Sequence, residues 1–375
     1  MRILTLKLEQ FRSYRDATLA WSPGDIELLI GPNGSGKTNI LEAISILSQG
    51  KSCLGSEEWD LPSWGTEFYR LTAETQSDAM VREKIEVVSQ VAPRRAKAAF
   101  VNDVRTPVPS IVGRLPTVIF LPQDLHLFGG PPSERRRFLD QILAQVSPDY
   151  AQALHDYLRV MKQRNTLLRR IADHESKPSE LETWDREIAE KGSLLTIRRL
   201  ELIETFGLTL RDEMAALGED AKEVKFHYDR KGTQRDEQAL AEELLGMLLH
   251  YRERDILLQS TTIGPHRDDW HLSVDGRSLM TFASRGQQRT AVLALLFLEV
   301  SYLELRRGEK PVILLDDVFS ELDDHHQEGV LTSLGQHHIL ITSTHAPPAL
   351  HGASLWEINR GQVTRGSGDP LLNKK

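Results

Sequence analysis

Residues 31–38 read GPNGSGKT, set between an apolar segment, Asp25 to Ile30, and a helical pattern running from Lys37 to about Leu47. This order constrains the chain strongly, because G-x-x-x-x-G-K-T between a strand and a helix is the sequence form of a phosphate-holding loop. Gly34 and Gly36 permit backbone angles that turn successive N–H groups toward an anion. The helix that starts near Lys37 adds the positive end of its dipole. Lys37 supplies a point charge for outer phosphates, and Thr38 a hydroxyl for magnesium. Gly31, Pro32, Asn33 and Ser35 complete the cradle.

A complementary element lies near the other end of the chain. The run VILLDDVFSELD begins at Val312, and its four apolar residues end in Asp316 and Asp317. That is the form of a central parallel strand reaching a ligand-binding edge. Asp316 is placed to hold magnesium through water, and Asp317 to orient or deprotonate an attacking water. Two Asp after an apolar run can also be a capped turn; the phosphate loop favours the acidic site.

The chain has 375 residues, enough for about two or three domains. Its 40% hydrophobic and 27% charged content is ordinary for a globular protein. No apolar run reaches the ~18–20 residues that span a bilayer. The longest candidate, Thr290 to Val300, is too short. The chain starts with a strand-like segment rather than a basic n-region, so no secretory signal is expected. One cysteine, Cys53, excludes an intrachain disulfide and fits a reducing, cytoplasmic setting. The net charge of −8 means that any nucleic-acid contact uses local basic patches.

Strand patterns occupy the first ~30 residues, with Ile3, Thr5, Lys7 and Glu9 alternating with Leu4, Leu6 and Leu8. Further strands are predicted at Phe68–Thr75, Val81–Val91, Ala98–Val101 and Thr117–Leu121. From Ser133 to about Ala216 the pattern is almost wholly helical. A break at Ser176–Ser179 divides it into two helices, which suggests an antiparallel hairpin. Arg285 to Arg306 reads as one long helix, Asp323 to Leu334 as another, and Ile339 to Thr342 as a strand. The expectation is a discontinuous α/β domain built from both ends, with a helical insert.

Several short motifs then converge. Ser284, Gly286 and Gln287 in TFASRGQQRT match the S-x-G-Q part of the ABC signature. Gln123 follows the strand Thr117–Leu121, at the place of a Q-loop. Ser320-Glu321-Leu322-Asp323 resembles a D-loop, and His345 follows Ile339–Thr342 as a switch histidine does. More finely, EQFRSYRD, FLPQDLHLFGGPPSERRRFLD from Phe120, GPHRDD from Gly264 and FASRGQQRT resemble the RecF family of bacterial DNA repair proteins across essentially the full chain.

The resemblance implies a P-loop ABC-type ATPase head of α/β class, like that of SMC proteins. Lobe I would hold a mixed sheet with helices, and lobe II would be an inserted, mainly helical lobe. The expected boundaries are 1–121 for the N-terminal part of lobe I, 122–262 for lobe II, and 263–375 for the segment that completes the core. ATP and Mg²⁺ are the implied cofactors. Thr38, Gln123 and Asp316 would face the metal, and Asp317, Gln123 and His345 would serve catalysis. Gly31 to Thr38 and Asp323 would contact nucleotide, as would Ser284, Gly286 and Gln287 from a second subunit in a head-to-tail homodimer. Read from the residues alone, Ser284–Gln287 is either such an anion site at a helix N-terminus or a simple helix cap.

The family further implies binding to duplex DNA near single-strand gaps, and action with RecR and RecO to load RecA in the cytoplasm at the nucleoid. Slow turnover is expected, since Asp317 stands where transporter ATPases usually have Glu, and Ala283 and Arg285 where they commonly have Leu and Gly. Rival readings are a transporter ATPase subunit and an SMC-like structural ATPase. The hairpin is too short for the latter's arms. Three basic clusters could meet phosphates: Arg94, Arg95 and Lys97; Arg135, Arg136 and Arg137; and Arg159, Lys162, Arg164, Arg169 and Arg170. Each could equally be a solvated face or, for Arg135–Arg137, a set of internal salt bridges. His266 and Asp268 lack the remaining ligands of a metal site, which favours a structural loop. Arg12 lies near the nucleotide by analogy with SMC-type heads, or on the surface.

Overall fold

Leu6 and Leu8 point inward from the strand Arg2–Phe11 while Lys7 points out, as a period of two requires. A register irregularity between Ile3 and Thr5 turns Ile3 inward as well, which strict alternation did not foresee. This strand is the second of a six-stranded antiparallel sheet, in the order Tyr14–Ala20, Arg2–Phe11, Phe68–Gln76, Arg82–Gln90, Ala96–Val101 and Val104–Thr106. The computed structural model describes residues 1–21, 26–320, 322, 324–346, 350 and 353–366. It divides into two units, Met1–Leu125 with Leu296–Lys375, and His126–Leu295.

Among the described residues, the first unit has a second six-stranded sheet, ordered Gln362–Arg365, Ser354–Asn359, Ile26–Ile30, Ile339–Ser343, Val312–Asp316 and Thr117–Phe120. All its pairings are parallel except that of the edge hairpin Ser354–Arg365. The helix Lys37–Gln49 packs into one core with both sheets: Ile40, Ile44 and Leu47 share it with Leu8, Leu71 and Val87 of the first and with Leu29, Leu314 and Leu340 of the second. Its sequence, ILEAISIL, lacks a polar stripe, and such a helix is stable only when enclosed. Its buried polar residues are accordingly satisfied. Glu42 accepts hydrogen bonds from Arg12, Ser52 and Ser56. Ser48 bonds the carbonyl of Leu115 and the hydroxyl of Thr117.

The second unit is mainly helical. The expected hairpin is present as Pro148–Ala172 and Leu181–Ala216, 25 and 36 residues long, separated by a turn of 3₁₀ helix at Pro178–Glu180. Helices Pro132–Val146, Glu237–His250 and Arg252–Leu258 surround it. A three-stranded antiparallel sheet, Arg277–Ser278, Asp269–Val274 and Val224–Asp229, was not read from the sequence. It alters the expected division of the chain. Residues 263–295, assigned above to the ATPase core, group with the helical unit. The physical reason is the ladder from Asp229–Asp269 to Val224–Val274, together with fully buried Trp270, which packs on Phe128, Phe138 and Phe226.

Arg164 ties three helices of this unit together. It is fully buried and pairs with Asp185 and Asp255, each at 2.7 Å, while Arg252 meets Asp185 at 2.8 Å. Removing one partner of a buried network strands the others. Arg164→Met is expected to cost about 3–5 kcal/mol in urea unfolding, whereas Arg159→Ala, at an exposed pair with Asp156, stays within about 1 kcal/mol. Equal midpoints for the two variants would refute this account of the unit's stability.

Candidate functional site

Parallel strands place their carboxyl ends on one edge, where open α/β sheets bind ligands. In the second sheet Ile30 lies beside Ser343, Thr342 beside Asp316, and Leu315 beside Phe120. Gly31–Thr38, Thr344–His345, Asp317 and Pro122–Gln123 therefore all leave the sheet along the same edge. Asn33, Gly34, Gly36, Lys37, Thr38, Pro122, Asp316, Asp317 and Thr342 line a cleft of about 320 Å³ there.

The loop's glycines do what the sequence asks of them. Gly34 and Gly36 have φ of 77° and 112°, conformations that L side chains rarely adopt. A Cβ on Gly36 would also come within 2.6 Å of the Ser13 hydroxyl and 2.9 Å of the Tyr14 hydroxyl. Tyr14, fully buried, donates to the Gly36 carbonyl at 2.9 Å. Arg12 does not face the loop's interior. Its guanidinium grips both oxygens of Glu42 on the following helix, at 2.7 and 2.8 Å, and the carbonyl of Asp60. The FRSY segment thus buttresses the loop from behind.

Lys37 is buried, and its Nζ donates to the carbonyls of Gly31 and Pro32 at 2.7 and 3.1 Å. Burial lowers its pKa, against the opposing pull of Asp317 and Asp316. The Thr38 hydroxyl lies 2.9 and 3.0 Å from the two oxygens of Asp316. A hydroxyl and a carboxylate at the mouth of a phosphate loop form a hard-oxygen set that suits Mg²⁺. Asp317 takes a left-handed backbone, φ 48°, and its N–H donates to both the carbonyl and the hydroxyl of Thr342, at 3.1 and 2.9 Å. Thr342, fully buried, donates in turn to Asp316 at 2.6 Å. The sequence reading had no role for Thr342 or Tyr14. The signal for Thr342 was a hydroxyl ending the apolar run ILI.

Gln123 is exposed directly after cleft-lining Pro122. His345 is exposed, its Nδ1 2.9 Å from the Thr344 hydroxyl, and it borders a neighbouring depression with Gly31, Pro32 and Asn33. Ser35 is buried within the loop. Asp323 and Glu321 of the D-loop segment lie outside the described residues.

The signature belongs to the second unit. Ser284 and Gln287 form a reciprocal cap on the helix Arg285–Arg307: Gln287 N–H donates to the Ser284 hydroxyl at 3.2 Å, and Ser284 N–H to the Gln287 side chain at 2.9 Å. Gln287 also donates to Glu219 at 2.7 Å. Ser284, Arg285 and Gly286 remain exposed. The cap and an anion site are compatible, since both use the start of one helix.

GPHRDD is built into the helical unit. His266 is held by the Tyr157 hydroxyl at 2.6 Å and the Thr261 carbonyl at 3.0 Å, and burial pushes its pKa down to about 4. Asp268 accepts from Tyr228, and burial raises its carboxyl to about 6 despite nearby Arg199. Asp269 accepts from Nε and Nη2 of Arg135, at 2.8 and 2.7 Å, and Arg136 donates to the Asp268 carbonyl. Among the described residues no group of three or more His, Cys, Asp or Glu could hold a metal. Arg135 and Arg164 are thereby internal struts and not phosphate contacts. Lys97 pairs with Glu58 and the Gly50 carbonyl, and Arg95 stacks over Trp59 at 4.9 Å. Arg159, Lys162 and Arg169 are exposed, at spacings of three and seven on one helix face.

The AAA ATPase domain family model matches residues 1–95. A protein of Heliobacterium modesticaldum named DNA replication and repair protein RecF is 34% identical over 97% of this chain and 99% of its own. One of the same name from Moorella thermoacetica is 36% identical over 98% and 97%. A solved structure of the recombination mediator protein RecF with ATP superposes with TM-score 0.89, at 30% identity over 97% of each chain. An Smc head bound to the C-terminal winged-helix domain of ScpA shares the fold, with TM-score 0.55 at 14% identity. Sequence likeness over almost the whole length, on a matching fold, shows that this chain belongs to the RecF family of DNA replication and repair proteins.

Proposed function

We propose that this chain is an ATP-dependent DNA-binding protein of recombinational repair. ATP drives a head-to-tail dimer that clamps duplex DNA near single-strand gaps, and slow hydrolysis resets it. One observation carries the reading: the phosphate loop and acids line a cleft on the sheet edge of one unit, while the other unit presents the exposed Ser284–Gly286 turn at a helix N-terminus. In this reading the turn of a second subunit completes the nucleotide site. Relatives named for DNA replication and repair, and for the RecFOR pathway, support the biological setting. In that setting RecR and RecO are the partners and RecA is the protein loaded, in the cytoplasm at the nucleoid. Among the described residues no helix is long and apolar enough to cross a membrane.

Each side chain then has a task. The N–H groups of Gly31 to Thr38 and the Lys37 ammonium bind the phosphates. Thr38, Asp316 and Gln123 would hold magnesium, which would supply positive charge to stabilise the phosphoryl group during transfer. Asp317 orients the attacking water or accepts its proton, with His345 beside the outer phosphate. Asp323, Ser284, Gly286 and Gln287 contact nucleotide at the dimer interface. The ATPase is weak, because the Asp317 side chain is one methylene shorter than the usual Glu and reaches less far toward water; DNA stimulation is part of the same proposal.

Ser284→Asp keeps a good helix cap but sets a carboxylate where a phosphate would bind. It is expected to bind ATP normally and to remain monomeric with ATP–Mg in light scattering; full dimerisation would remove the composite site. Asp317→Asn should lower turnover by about 10²-fold or more and prolong the ATP dimer; unchanged turnover would strip Asp317 of its role. Binding to a fluorescent gapped duplex should be tighter with ATP–Mg than with ADP–Mg at one salt concentration. Lys162→Glu with Arg169→Glu should weaken it and reduce the salt slope by about 2. Equal binding in both nucleotides would overturn the switch.

A further inference from the structure

The strand Ile339–Ser343 runs between the strand that feeds the phosphate loop and the strand that ends in Asp316. Ile339, Leu340 and Ile341 are wholly buried, and so is Thr342. At such a position Val has the same shape, the same β-branching and no polar atom. A hydroxyl there is unfavourable unless it is paired, so its pairing shows its purpose.

A hydroxyl has one proton to give. The Asp317 N–H, 2.9 Å away, can only donate, so the Thr342 oxygen accepts there, and its proton goes to Asp316 Oδ1 at 2.6 Å. One side chain therefore does two things. It steers the Asp316 carboxylate toward Thr38, whose hydroxyl meets the same carboxylate at 2.9 Å. It also holds Asp317 in a left-handed backbone, φ 48°, a conformation that a non-glycine residue adopts at a cost and keeps only when its surroundings enforce it.

We propose that Thr342 is a positioning residue that sets the metal-facing acid and the water-facing acid together, so that the magnesium site and the hydrolytic geometry are coupled through one hydroxyl. This rests on the ATPase reading above. In this role Thr342 acts through Asp316 and Asp317. Phosphate capture by the glycine loop and Lys37 is independent of it.

The test uses the full chain and its Thr342→Val and Thr342→Ser variants. Fluorescent ATP binding is measured in EDTA and across a Mg²⁺ titration, with steady-state turnover alongside. Thr342→Val is expected to bind ATP in EDTA as the parent does, to need roughly tenfold more Mg²⁺ for half-maximal enhancement, and to lose about 10²-fold in kcat with little change in KM. Thr342→Ser should restore both. Thermal melting identifies a general packing defect, which would weaken ATP binding in EDTA as well and would overturn the proposal. So would a Val variant with unaltered Mg²⁺ dependence and kcat. If the parent chain itself bound no ATP, the ATPase reading would fail instead.

Discussion

Enclosure of the helix Lys37–Gln49 between two sheets is the constraint on which the first unit depends. A helix buried on all sides contributes apolar area from every face, but each polar group on it must find a partner. Glu42 finds Arg12, Ser52 and Ser56, and Ser48 finds Thr117. These bonds draw the N-terminal hairpin and the segment after the helix against the base of the phosphate loop. The loop's shape is thus a consequence of core packing and is already in place for a phosphate, so little ordering cost falls on binding.

The same logic recurs at the sheet edge. Asp316, Asp317, Thr38 and Thr342 come from three places far apart in the chain, and parallel pairing in fixed register brings them within hydrogen-bond reach. The arrangement is polar at the mouth and apolar behind, with Leu314 and Leu340 beneath it. Low polarity behind the acids strengthens their interactions with one another and with a cation. In the second unit the charged residues of GPHRDD are used for architecture. Asp269 anchors Arg135, and His266 is kept neutral between Tyr157 and a backbone carbonyl.

Much of this was legible in the residues. The phosphate loop, the helix after it, the acidic strand end, the long helix from Arg285 and the helical hairpin are local patterns. Glycine angles, apolar periodicity and capping act over a few residues, so sequence order alone reveals them. The role of Ser284 as a cap was one of two readings from the start, and the reciprocal bond with Gln287 shows it directly. The likeness of the whole chain to the RecF family was likewise carried by four short stretches.

Other features depend on residues meeting across long separations. The strands Val224–Asp229 and Asp269–Val274 are short and polar-edged, and they become strands only by pairing with each other. That pairing draws residues 263–295 into the helical unit. Arg164 read as one charge of a basic helix, and Arg135 as either a phosphate contact or an internal salt bridge; their burial is decided by Asp185, Asp255 and Asp269, which no spacing rule identifies. Thr342 was one more strand residue until register set its hydroxyl between two acids. Local chemistry lies in the order of residues, but whether a charge faces water or a partner depends on which distant segments pack together, and that is settled only when the core closes.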